Sequence, residues 1–432
     1  MNDSSDHGGA PVSLNQNNGR WEIHITNSDR DRLRRLAGKV AEVATRPVMA
    51  ERRARWTAHN SLKPVFPLLL CDPEGGWREI IPDNQLECES ALARNWERRL
   101  RQEIYHADLG DDYVVEPRFD IKRVFRESDW GQTAVLLACG AGPGNQTQWN
   151  PPIKDWSELD RFRFPQLILD EQATQAQAAL AHEVFDGILN VGVRGQWWWT
   201  LGLTNWLVYL RGHAQIMMDM IEAPEELHRL MELLRDGLLA RLDWLEEHRL
   251  LSPNTDGVMV GSGGLGYSKE LPLSGNNHAL KTTDLWGFAE AQDLEGLRAE
   301  HFEEFIFPYQ EAVLDRFGLN CYGCCEAVEL RWSAICQLPR LRRVSVSPWS
   351  DRVAMAVCLD TDYIYSLKPN PIDLSVTPLN EDLIRRRLRD DLQAAHGCRL
   401  EIILRDTHTL GGGPQNLERW VQLAREEMDR IY

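Results

Sequence analysis

Thiol and imidazole side chains follow two of the short apolar runs in the second half of the sequence. Cys324 and Cys325 come directly after residues 319–323, and His408 comes shortly after residues 400–404. Thiolate and imidazole are ligands that Zn²⁺ prefers in a tetrahedral site. The residue types therefore indicate a zinc site with Cys324, Cys325 and His408 as metal ligands. The alternative is that both cysteines are small buried residues and that His408 is an ordinary loop histidine.

A lysine and several tryptophans occupy other positions that suit substrate binding. Lys368 follows the apolar run 363–367 and precedes a proline, so it either holds an anionic substrate group or caps the end of the strand. The three consecutive tryptophans at 197–199 cannot all point to one side of a strand, so at least one faces another surface. The predicted substrate-binding residues are Trp197, Trp199, Trp286, Gln292, Trp349 and Asn370.

The glycine run at residues 261–264 is similar to a phosphate-binding loop only at first sight. It lacks the Gly-Lys-Ser/Thr that completes such a loop. We therefore do not expect phosphate to bind there.

Short apolar runs alternate with amphipathic stretches along residues 60–432. Strands are predicted at 65–71, 133–139, 187–193, 257–260, 319–323, 341–346, 363–367 and 400–404, and helices at 300–317, 328–337 and 380–396. A strand followed by a helix, repeated along the chain, is typical of a parallel sheet. A doubly wound sheet and a barrel both satisfy this pattern. We expect a (β/α)8 TIM barrel, because about eight runs are present and no G-x-G-x-x-G turn follows an early strand.

The overall composition is that of a folded, strongly acidic protein. The chain has 432 residues, of which 43% are hydrophobic and 26% charged, and 48 basic against 65 acidic residues give a formal net charge of -17. Such a surface repels phosphate backbones and anionic lipids, so nucleic acids and membranes are not expected partners. The N-terminus has no basic start followed by an apolar core, and we expect a cytoplasmic protein.

We expect three parts along the chain. Residues 1–20 contain few groups that form a core and predict a disordered leader. Residues 21–60 predict a charged N-terminal helical arm, and residues 61–432 predict the barrel. A homodimer is one expectation, because such an arm is able to reach a second copy of the chain.

Four segments carry a resemblance to a known family. They are Ala223-Pro224-Glu225-Glu226-Leu227-His228, Phe317-Gly318-Leu319 with Tyr322-Gly323-Cys324-Cys325-Glu326, Leu341 to Trp349, and Lys368-Pro369-Asn370-Pro371. With them, residues 60–432 resemble the uroporphyrinogen decarboxylase superfamily, which includes the cobalamin-dependent methyltransferases. The resemblance implies a (β/α)8 barrel with its site at the carboxyl ends of the strands. The Arg-Gln-Ala-Gly-Arg-Tyr-type motif of the true decarboxylases does not occur at residues 46–53, the nearest stretch, so uroporphyrinogen is not the expected substrate.

The methyltransferase branch of this superfamily holds zinc with a His-x-Cys motif and a further cysteine after the last strand. On this chain the motif falls on residues 322–324 and the last cysteine falls on His408, so a tyrosine replaces one ligand. We predict that Tyr322, Glu326 and Lys368 are catalytic. The resemblance implies a corrinoid-linked methyltransferase or demethylase that acts on a small methylated compound, with the corrinoid carried by a separate protein.

Two other functions fit the same residues. A metal-dependent decarboxylase or lyase would use Lys368 and Arg405 to hold the carboxylates of a small acidic substrate, with His408 as acid or base. A non-catalytic barrel would bind a small molecule without turnover. Release of carbon dioxide without a corrinoid favours the lyase, and tight binding that is indifferent to Cys324→Ser favours the binding protein.

Overall fold

The computed structural model describes residues 24–133, 135–137, 148–272 and 279–432. Within these residues the strands are β1 (Leu68–Cys71), β2 (Arg118–Lys122), β3 (Phe125–Glu127), β4 (Val135–Leu137), β5 (Gln148–Asn150), β6 (Leu167–Leu169), β7 (Asn190–Arg194), β8 (Trp286–Ala289), β9 (Leu319–Tyr322), β10 (Leu341–Val346), β11 (Ile364–Leu367) and β12 (Arg399–Leu404).

The α-helices surround these strands. They are α1 (Asn27–Ala44), α2 (Pro47–Asn60), α3 (Trp77–Ile80), α4 (Ala91–Asp108), α5 (Glu171–Phe185), α6 (Thr204–Arg211), α7 (His213–Glu222), α8 (Pro224–Glu247), α9 (Ala299–Phe305), α10 (Phe307–Leu314), α11 (Trp332–Ile335), α12 (Arg352–Leu359), α13 (Glu381–Ala394) and α14 (Gln415–Ile431). Within the described ranges, none of the helices combines the length and the apolar character needed to cross a membrane.

Six parallel strands form a central sheet in the order β1-β12-β11-β10-β9-β8. Helices connect each strand from β8 to β12 with the next one, so the expected alternation of strand and helix in an α/β protein is confirmed. β2 and β7 form a separate parallel pair, while β3 with β6 and β4 with β5 form antiparallel pairs. The closed eight-stranded barrel stays a prediction, because the strand pairs of the described residues do not join the two parallel sheets.

The two faces of the central sheet pack against different parts of the chain, since successive residues of a strand point to opposite faces. One face carries residues such as Tyr365 and Leu404, which belong to the largest hydrophobic cluster together with residues of the surrounding helices. The other, which we call the inner face, carries Leu70 and Ile403. These two cluster with Trp56 of α2.

The predicted helical arm consists of α1 and α2. α1 begins after Thr26, whose hydroxyl accepts a hydrogen bond from the backbone N–H of Asp29. α2 begins at Pro47, which suits a first helical turn because its missing N–H is not needed there. α1 packs against α4, whereas α2 buries Trp56 on the inner face of the sheet. The predicted leader and residues 21–23 of the arm lie outside the described residues, and the division into three parts stays a prediction.

Strands lie within or overlap the predicted ranges 65–71, 187–193, 319–323, 341–346, 363–367 and 400–404, and the predictions at 133–139 and 257–260 need correction. Residues 257–260 form no strand but a single bridge between Met259 and Leu265. Of residues 133–139, the part 135–137 is β4, which lies in an antiparallel pair outside the central sheet, and residues 134, 138 and 139 lie outside the described residues. The predictions relied on continuous apolar runs. They therefore missed β2, which alternates polar and apolar residues, and β8, which is short and contains Gly287.

Two of the predicted helices are interrupted. The stretch 300–317 divides into α9 and α10, because Pro308 lacks the N–H that would continue the first helix and instead lies in the first turn of the second. The stretch 328–337 is a short 3-10 helix, Val328–Arg331, followed by α11. The stretch 380–396 corresponds to α13, as predicted.

Candidate functional site

A buried polar network lies on the inner face of the central sheet. Glu401 Oε1 of β12 lies 3.0 Å from Arg343 Nε of β10 and accepts a 2.6 Å hydrogen bond from Ser366 Oγ of β11. His59 Nε2 of α2 lies 3.3 Å from Glu401 Oε2, and Arg343 donates a 2.7 Å hydrogen bond to Asn60 Oδ1. We call these five residues, His59, Asn60, Arg343, Ser366 and Glu401, the interior network.

The charges of the interior network are matched. Burial by itself raises the pKa of Glu401, but Arg343 and His59 outweigh burial and hold that pKa well below its ordinary value. Burial lowers the pKa of His59, so this histidine is neutral near pH 7. Because the Glu401–Arg343 pair stays ionised and Arg343 also binds α2, the network fixes α2 to the sheet.

The glycine run lies directly against the interior network. A Cβ atom on Gly263 would lie 2.4 Å from Arg343 Cδ, and one on Gly264 would lie 2.3 Å from the ring of Trp56. The backbone N–H of Gly264 also donates a 3.1 Å hydrogen bond to Glu401. Close packing against buried side chains is therefore the structural reason for these glycines.

Lys368 follows β11 at the carboxyl end of the central sheet and is 8% exposed. Its Nζ donates hydrogen bonds to Ser262 O at 2.7 Å and to Ser366 Oγ at 2.8 Å, and the Ser262 hydroxyl donates to Gly323 O at 2.9 Å. An ammonium group has three N–H donors, so one remains beyond the two bonds seen among the described residues. Burial lowers the pKa of Lys368 to about 8.

Two thiols lie side by side where β9 ends. The Sγ atoms of Cys324 and Cys325 are 3.6 Å apart, and Cys325 Sγ donates a hydrogen bond to Asp406 Oδ2 at 3.4 Å. Cys324 is buried, whereas Cys325 is half-buried. The hydrogen bond with Cys325, together with burial, raises the pKa of the Cys324 thiol well above its ordinary value. The two sulfurs therefore lie side by side, and one of them contacts the Asp406 carboxylate.

The loop after β12 completes the cluster. Arg405 is 8% exposed and donates hydrogen bonds to Gly261 O at 2.6 Å and to Glu74 Oε1 at 3.1 Å. Asp406 has a φ of 59°, a left-handed conformation that costs free energy in a residue other than glycine and is concentrated at functional sites. We call Cys324, Cys325, Lys368, Arg405 and Asp406 the mouth cluster. All five come from the carboxyl ends of β9, β11 and β12, where parallel sheets bind their ligands.

Two buried carboxyl groups follow β8 and β9. Glu326 accepts hydrogen bonds from the backbone N–H groups of Ala291 at 2.8 Å and Cys324 at 2.9 Å. Glu290 accepts one from the backbone N–H of Gln292 at 3.0 Å. Burial raises the pKa of both groups, and neighbouring carboxyl groups add to the increase for Glu290. The contacts of Glu326 thus shape the backbone around the thiols.

Tyr322 was predicted as a catalytic residue, but it belongs to the packing on the outer face of the sheet. It is fully buried within the largest hydrophobic cluster, and its hydroxyl donates a 2.6 Å hydrogen bond to Gln310 Oε1. Among the three predicted catalytic residues, the structure therefore brings only Lys368 into the mouth cluster.

The predicted substrate-binding tryptophans do not share one surface. Trp197 Nε1 donates to a backbone carbonyl in the core, and Trp286 lies on the inner face with the Arg343 guanidinium 5.2 Å from its ring centre. Trp199 packs edge-on against an aromatic ring of β8, and Trp349 is 67% exposed after β10. These positions do not form the single aromatic cage that their number in the sequence suggests.

Gln292 and Asn370 were predicted to contact the substrate, but both take part in hydrogen bonds with residues nearby in the sequence. Asn370 Oδ1 accepts a 3.1 Å hydrogen bond from the backbone N–H of Ile372 and caps a short 3-10 helix. The backbone N–H of Gln292 donates to Glu290. Local structure therefore explains the position of both residues.

The described residues do not fit a zinc ion held by Cys324, Cys325 and His408. The side chain of His408 is exposed, and its backbone runs against Gly75 in the loop after β1. The neighbour of the thiols is instead Asp406. Across the part of the chain that the structure describes, no three or more His, Cys, Asp and Glu side chains are placed to hold one metal ion. Zinc binding therefore stays a prediction.

Sequence reasoning missed several residues of the site. Arg343 and Glu401 lie inside strands, and the search for functional residues considered only the positions that follow the strand ends. Glu290 and Asp406 were detectable, because each comes within two residues of a strand end, the same criterion that selected Lys368.

A small cleft lies between β3, α6 and α8. Its walls include the rings of Trp130 and Trp206, which pack edge to face at 5.5 Å, and the ion pair of Glu127 with Arg241 at 2.9 Å. Thr200 also lines it and hydrogen-bonds to the carboxyl group that follows β8.

One further pattern in the loop after β12 corrects a premise about the corrinoid. The assignment of the corrinoid to a separate protein presumes that this chain lacks the Asp-x-His-x-x-Gly pattern of corrinoid-binding domains. That premise is wrong, because residues 406–411 read Asp-Thr-His-Thr-Leu-Gly. A single short match is weak evidence for a cofactor. Corrinoid binding, by this chain or by a separate protein, stays a prediction.

Comparison with known proteins leaves the family of this chain open. No protein-family model matches it, and no curated protein matches it. Among solved structures, a methyltransferase from Methanosarcina mazei is similar, with 10% sequence identity and a TM-score of 0.46, and the alignment covers 87% of this chain and 98% of that chain. A likeness at this identity and TM-score establishes neither the fold nor the activity of this chain.

Proposed function

We propose that this protein is a methyltransferase that acts, at the mouth cluster, on a small molecule carrying an anionic group. The observation that carries the proposal is the placement of two adjacent thiols with two buried cations at the carboxyl ends of β9, β11 and β12. Thiols are strong nucleophiles toward methyl groups once deprotonated, and buried cations bind anions. The segments that resemble the uroporphyrinogen decarboxylase superfamily include two of these strand ends, at residues 322–326 and 368–371.

The two cations have different tasks. Lys368 keeps one N–H donor beyond its two hydrogen bonds and is the residue that contacts the anionic group of the substrate. Arg405 is already bound to Glu74 and to a backbone carbonyl. It therefore adds positive charge and holds the loop in place.

The thiol that reacts is Cys325, because it is the more exposed of the two and already donates to Asp406. In the transfer, the Cys325 proton moves to the Asp406 carboxylate, a bond forms between Cys325 Sγ and the methyl carbon, and the bond from that carbon to the donor breaks. When bound, a corrinoid would be the other carrier of the methyl group, after or before Cys325. A single-turnover assay measures which carrier receives the methyl group first.

We further propose that the two parallel sheets together close a (β/α)8 barrel. β1 and β8 are the edge strands of the central sheet, and the pair of β2 and β7 is the part of the chain that lies between them in sequence. Inserting this pair between the two edges gives eight parallel strands in chain order, as a barrel of this kind requires.

A decarboxylase or lyase acting on a small acidic substrate is the second candidate. The pKa of Lys368, lowered to about 8 by burial, favours it, because such an amine both binds a carboxylate and exchanges a proton near neutral pH. Carbon dioxide release that needs no corrinoid would support this candidate over methyl transfer.

The deciding experiment is a single-turnover assay with methylcobalamin or cob(I)alamin and a panel of methylated donors, with and without a carboxylate. We expect methyl transfer that is faster with the carboxylated donors and lost in Cys325→Ser. The control Cys336→Ser removes a thiol outside the mouth cluster and keeps the transfer rate. Absence of transfer with every donor would overturn the proposal, and tight ligand binding without turnover that is indifferent to Cys324→Ser would identify a binding protein.

A further inference from the structure

We propose that Cys324 and Cys325 are a reversible oxidation site, which closes to a disulfide between adjacent residues when the protein meets a peroxide. The two Sγ atoms are 3.6 Å apart in the reduced protein. A disulfide bond is about 2.05 Å long, so the sulfurs approach by roughly 1.5 Å when it forms. Only its effect on activity rests on the proposed function, because the oxidation itself needs no substrate.

A disulfide at this position is easily reversed. Adjacent Cα atoms are about 3.8 Å apart, which is shorter than the roughly 4.4–6.8 Å that an unstrained disulfide spans. Strained disulfides are more oxidising and are reduced more readily than structural ones. The adjacency of Cys324 and Cys325 therefore suits a switch, whereas a permanent cross-link would need residues farther apart.

The surroundings assign a different role to each thiol. Cys325 is half-buried and hydrogen-bonds to Asp406, so it is the thiol that a small peroxide reaches first. Cys324 is buried beside it, 3.6 Å from Cys325 Sγ, so it is placed to attack the oxidised Cys325 in the second step. The pair thus has an attacking thiol and a resolving thiol.

The steps balance with one peroxide. The Cys325 proton passes to the Asp406 carboxylate, Cys325 Sγ attacks a peroxide oxygen, and the O–O bond breaks to give a sulfenic acid and a hydroxide that takes the proton back from Asp406. Cys324 Sγ then attacks the sulfenic sulfur, forms the S–S bond and releases a second water, formed from the departing hydroxide and the Cys324 proton. Two thiols are oxidised, and hydrogen peroxide is reduced to two waters.

The consequence is a site without a free thiol. The oxidised pair has no S–H group to donate to Asp406 and no nucleophile at the end of β9. Oxidation therefore switches off any reaction that uses Cys325, while the interior network beneath it is unchanged.

The experiment uses the full chain, treated first with a chelator so that no bound metal protects the thiols. One molar equivalent of hydrogen peroxide is added, the remaining thiols are alkylated, and the digested protein is mapped by mass spectrometry. We expect the peptide containing residues 324–325 to lose two hydrogens, to take no alkyl group and to recover both thiols after treatment with dithiothreitol.

Several results would overturn the proposal. They are alkylation of both cysteines after peroxide, oxidation of Cys325 that stops at a sulfenic or sulfinic acid, and a disulfide from either residue to another cysteine. As a second test, Asp406→Asn should slow formation of the same disulfide by at least about tenfold, because the proton acceptor is lost. Cys336→Ser should change neither the product nor its rate. Mapping requires no enzymatic activity, so failure of the methyltransferase proposal would leave this result unaffected.

Discussion

The interior network and the mouth cluster lie on the same sheet, but they differ in how completely their charges are paired. In the interior network, Glu401 lies within 3.3 Å of donors from three other elements, and Arg343 faces it directly. In the mouth cluster, Lys368 donates to two neutral oxygens and has no carboxylate at ion-pair distance among the described residues. Buried charge therefore serves stability in one region and leaves binding capacity in the other.

The largest expected effect comes from breaking the paired region. Glu401→Gln removes the charge that compensates Arg343 and leaves a buried guanidinium unpaired, which typically costs about 3–5 kcal/mol of unfolding free energy. Equilibrium unfolding in urea, followed by circular dichroism, measures this cost. The control is Glu300→Gln, whose 3.8 Å pair with Arg298 is largely exposed and should change stability by less than about 0.5 kcal/mol. A similarly small loss in Glu401→Gln would contradict the role of the network.

Lys368→Met should reduce activity more than stability, in contrast to Glu401→Gln. Methionine is apolar and similar in length, and the two hydrogen-bond partners of Lys368 are neutral, so the unfolding free energy should fall by less than in Glu401→Gln. The value of kcat/KM for an anionic substrate should fall about 100-fold, the cost of a lost hydrogen bond to a charged group. Lys63→Met, at an exposed lysine, is the control and should alter neither quantity. Destabilisation as severe as that of Glu401→Gln would mean that Lys368 stabilises the fold and does not serve substrate binding.

Gly264→Ala tests whether the glycine run is required by packing. The added methyl group would meet the Trp56 ring at 2.3 Å, and overpacking of this kind costs about 1–3 kcal/mol. Gly38→Ala is the matched control, since an added Cβ there has nothing within 4 Å and lies in α1, where alanine stabilises a helix by up to about 1 kcal/mol. Urea unfolding should therefore shift in opposite directions for the two variants, and a shift in the same direction would count against tight packing at Gly264.

The pH dependence of binding sharpens the difference between the two regions. The pKa of Lys368 is lowered from 10.5 to about 8, so the ammonium form that binds an anion predominates below pH 8 and is lost above it. The affinity for an anionic substrate should fall by about tenfold per pH unit above 8, and Lys368→Met should lack this decrease. Between pH 8 and 10.5 the unfolded chain binds the proton that the folded chain has released, so this group makes the folded state more stable as pH rises. A flat alkaline profile in the unsubstituted protein would remove Lys368 from substrate binding.

The sequence predicted the parts of the site that come directly after apolar runs. Cys324, Cys325 and Lys368 were found in this way, because the carboxyl ends of neighbouring parallel strands meet at one edge of the sheet. His408 was chosen by the same criterion, but the backbone turns at Asp406, so Asp406 reaches the thiols and His408 is exposed. Two residues along a loop decide which side chain enters the site, and no sequence period reports that turn.

The interior network was not predictable from local patterns. Glu401 and Arg343 are charged residues within largely apolar strands, β12 and β10, and His59 comes from a helix more than three hundred residues away from Glu401 in sequence. A charge inside a strand acquires its meaning only from partners on other elements. Parallel pairing of β10, β11 and β12 supplies those partners, and the sequence gives no direct sign of the pairing.

The most direct measurement is single-turnover methyl transfer by Lys368→Met and by Glu401→Gln, each compared with the unsubstituted protein under conditions where all three are folded. If the mouth cluster holds the substrate and the interior network only stabilises the fold, Lys368→Met should lose transfer to the carboxylated donors by about 100-fold. Folded Glu401→Gln should retain most of its rate well below pH 8, where Lys368 stays protonated even without the Glu401 charge that raises its pKa. Full transfer by Lys368→Met, or equal losses in both variants, would contradict the assignment of the mouth cluster as the site of reaction.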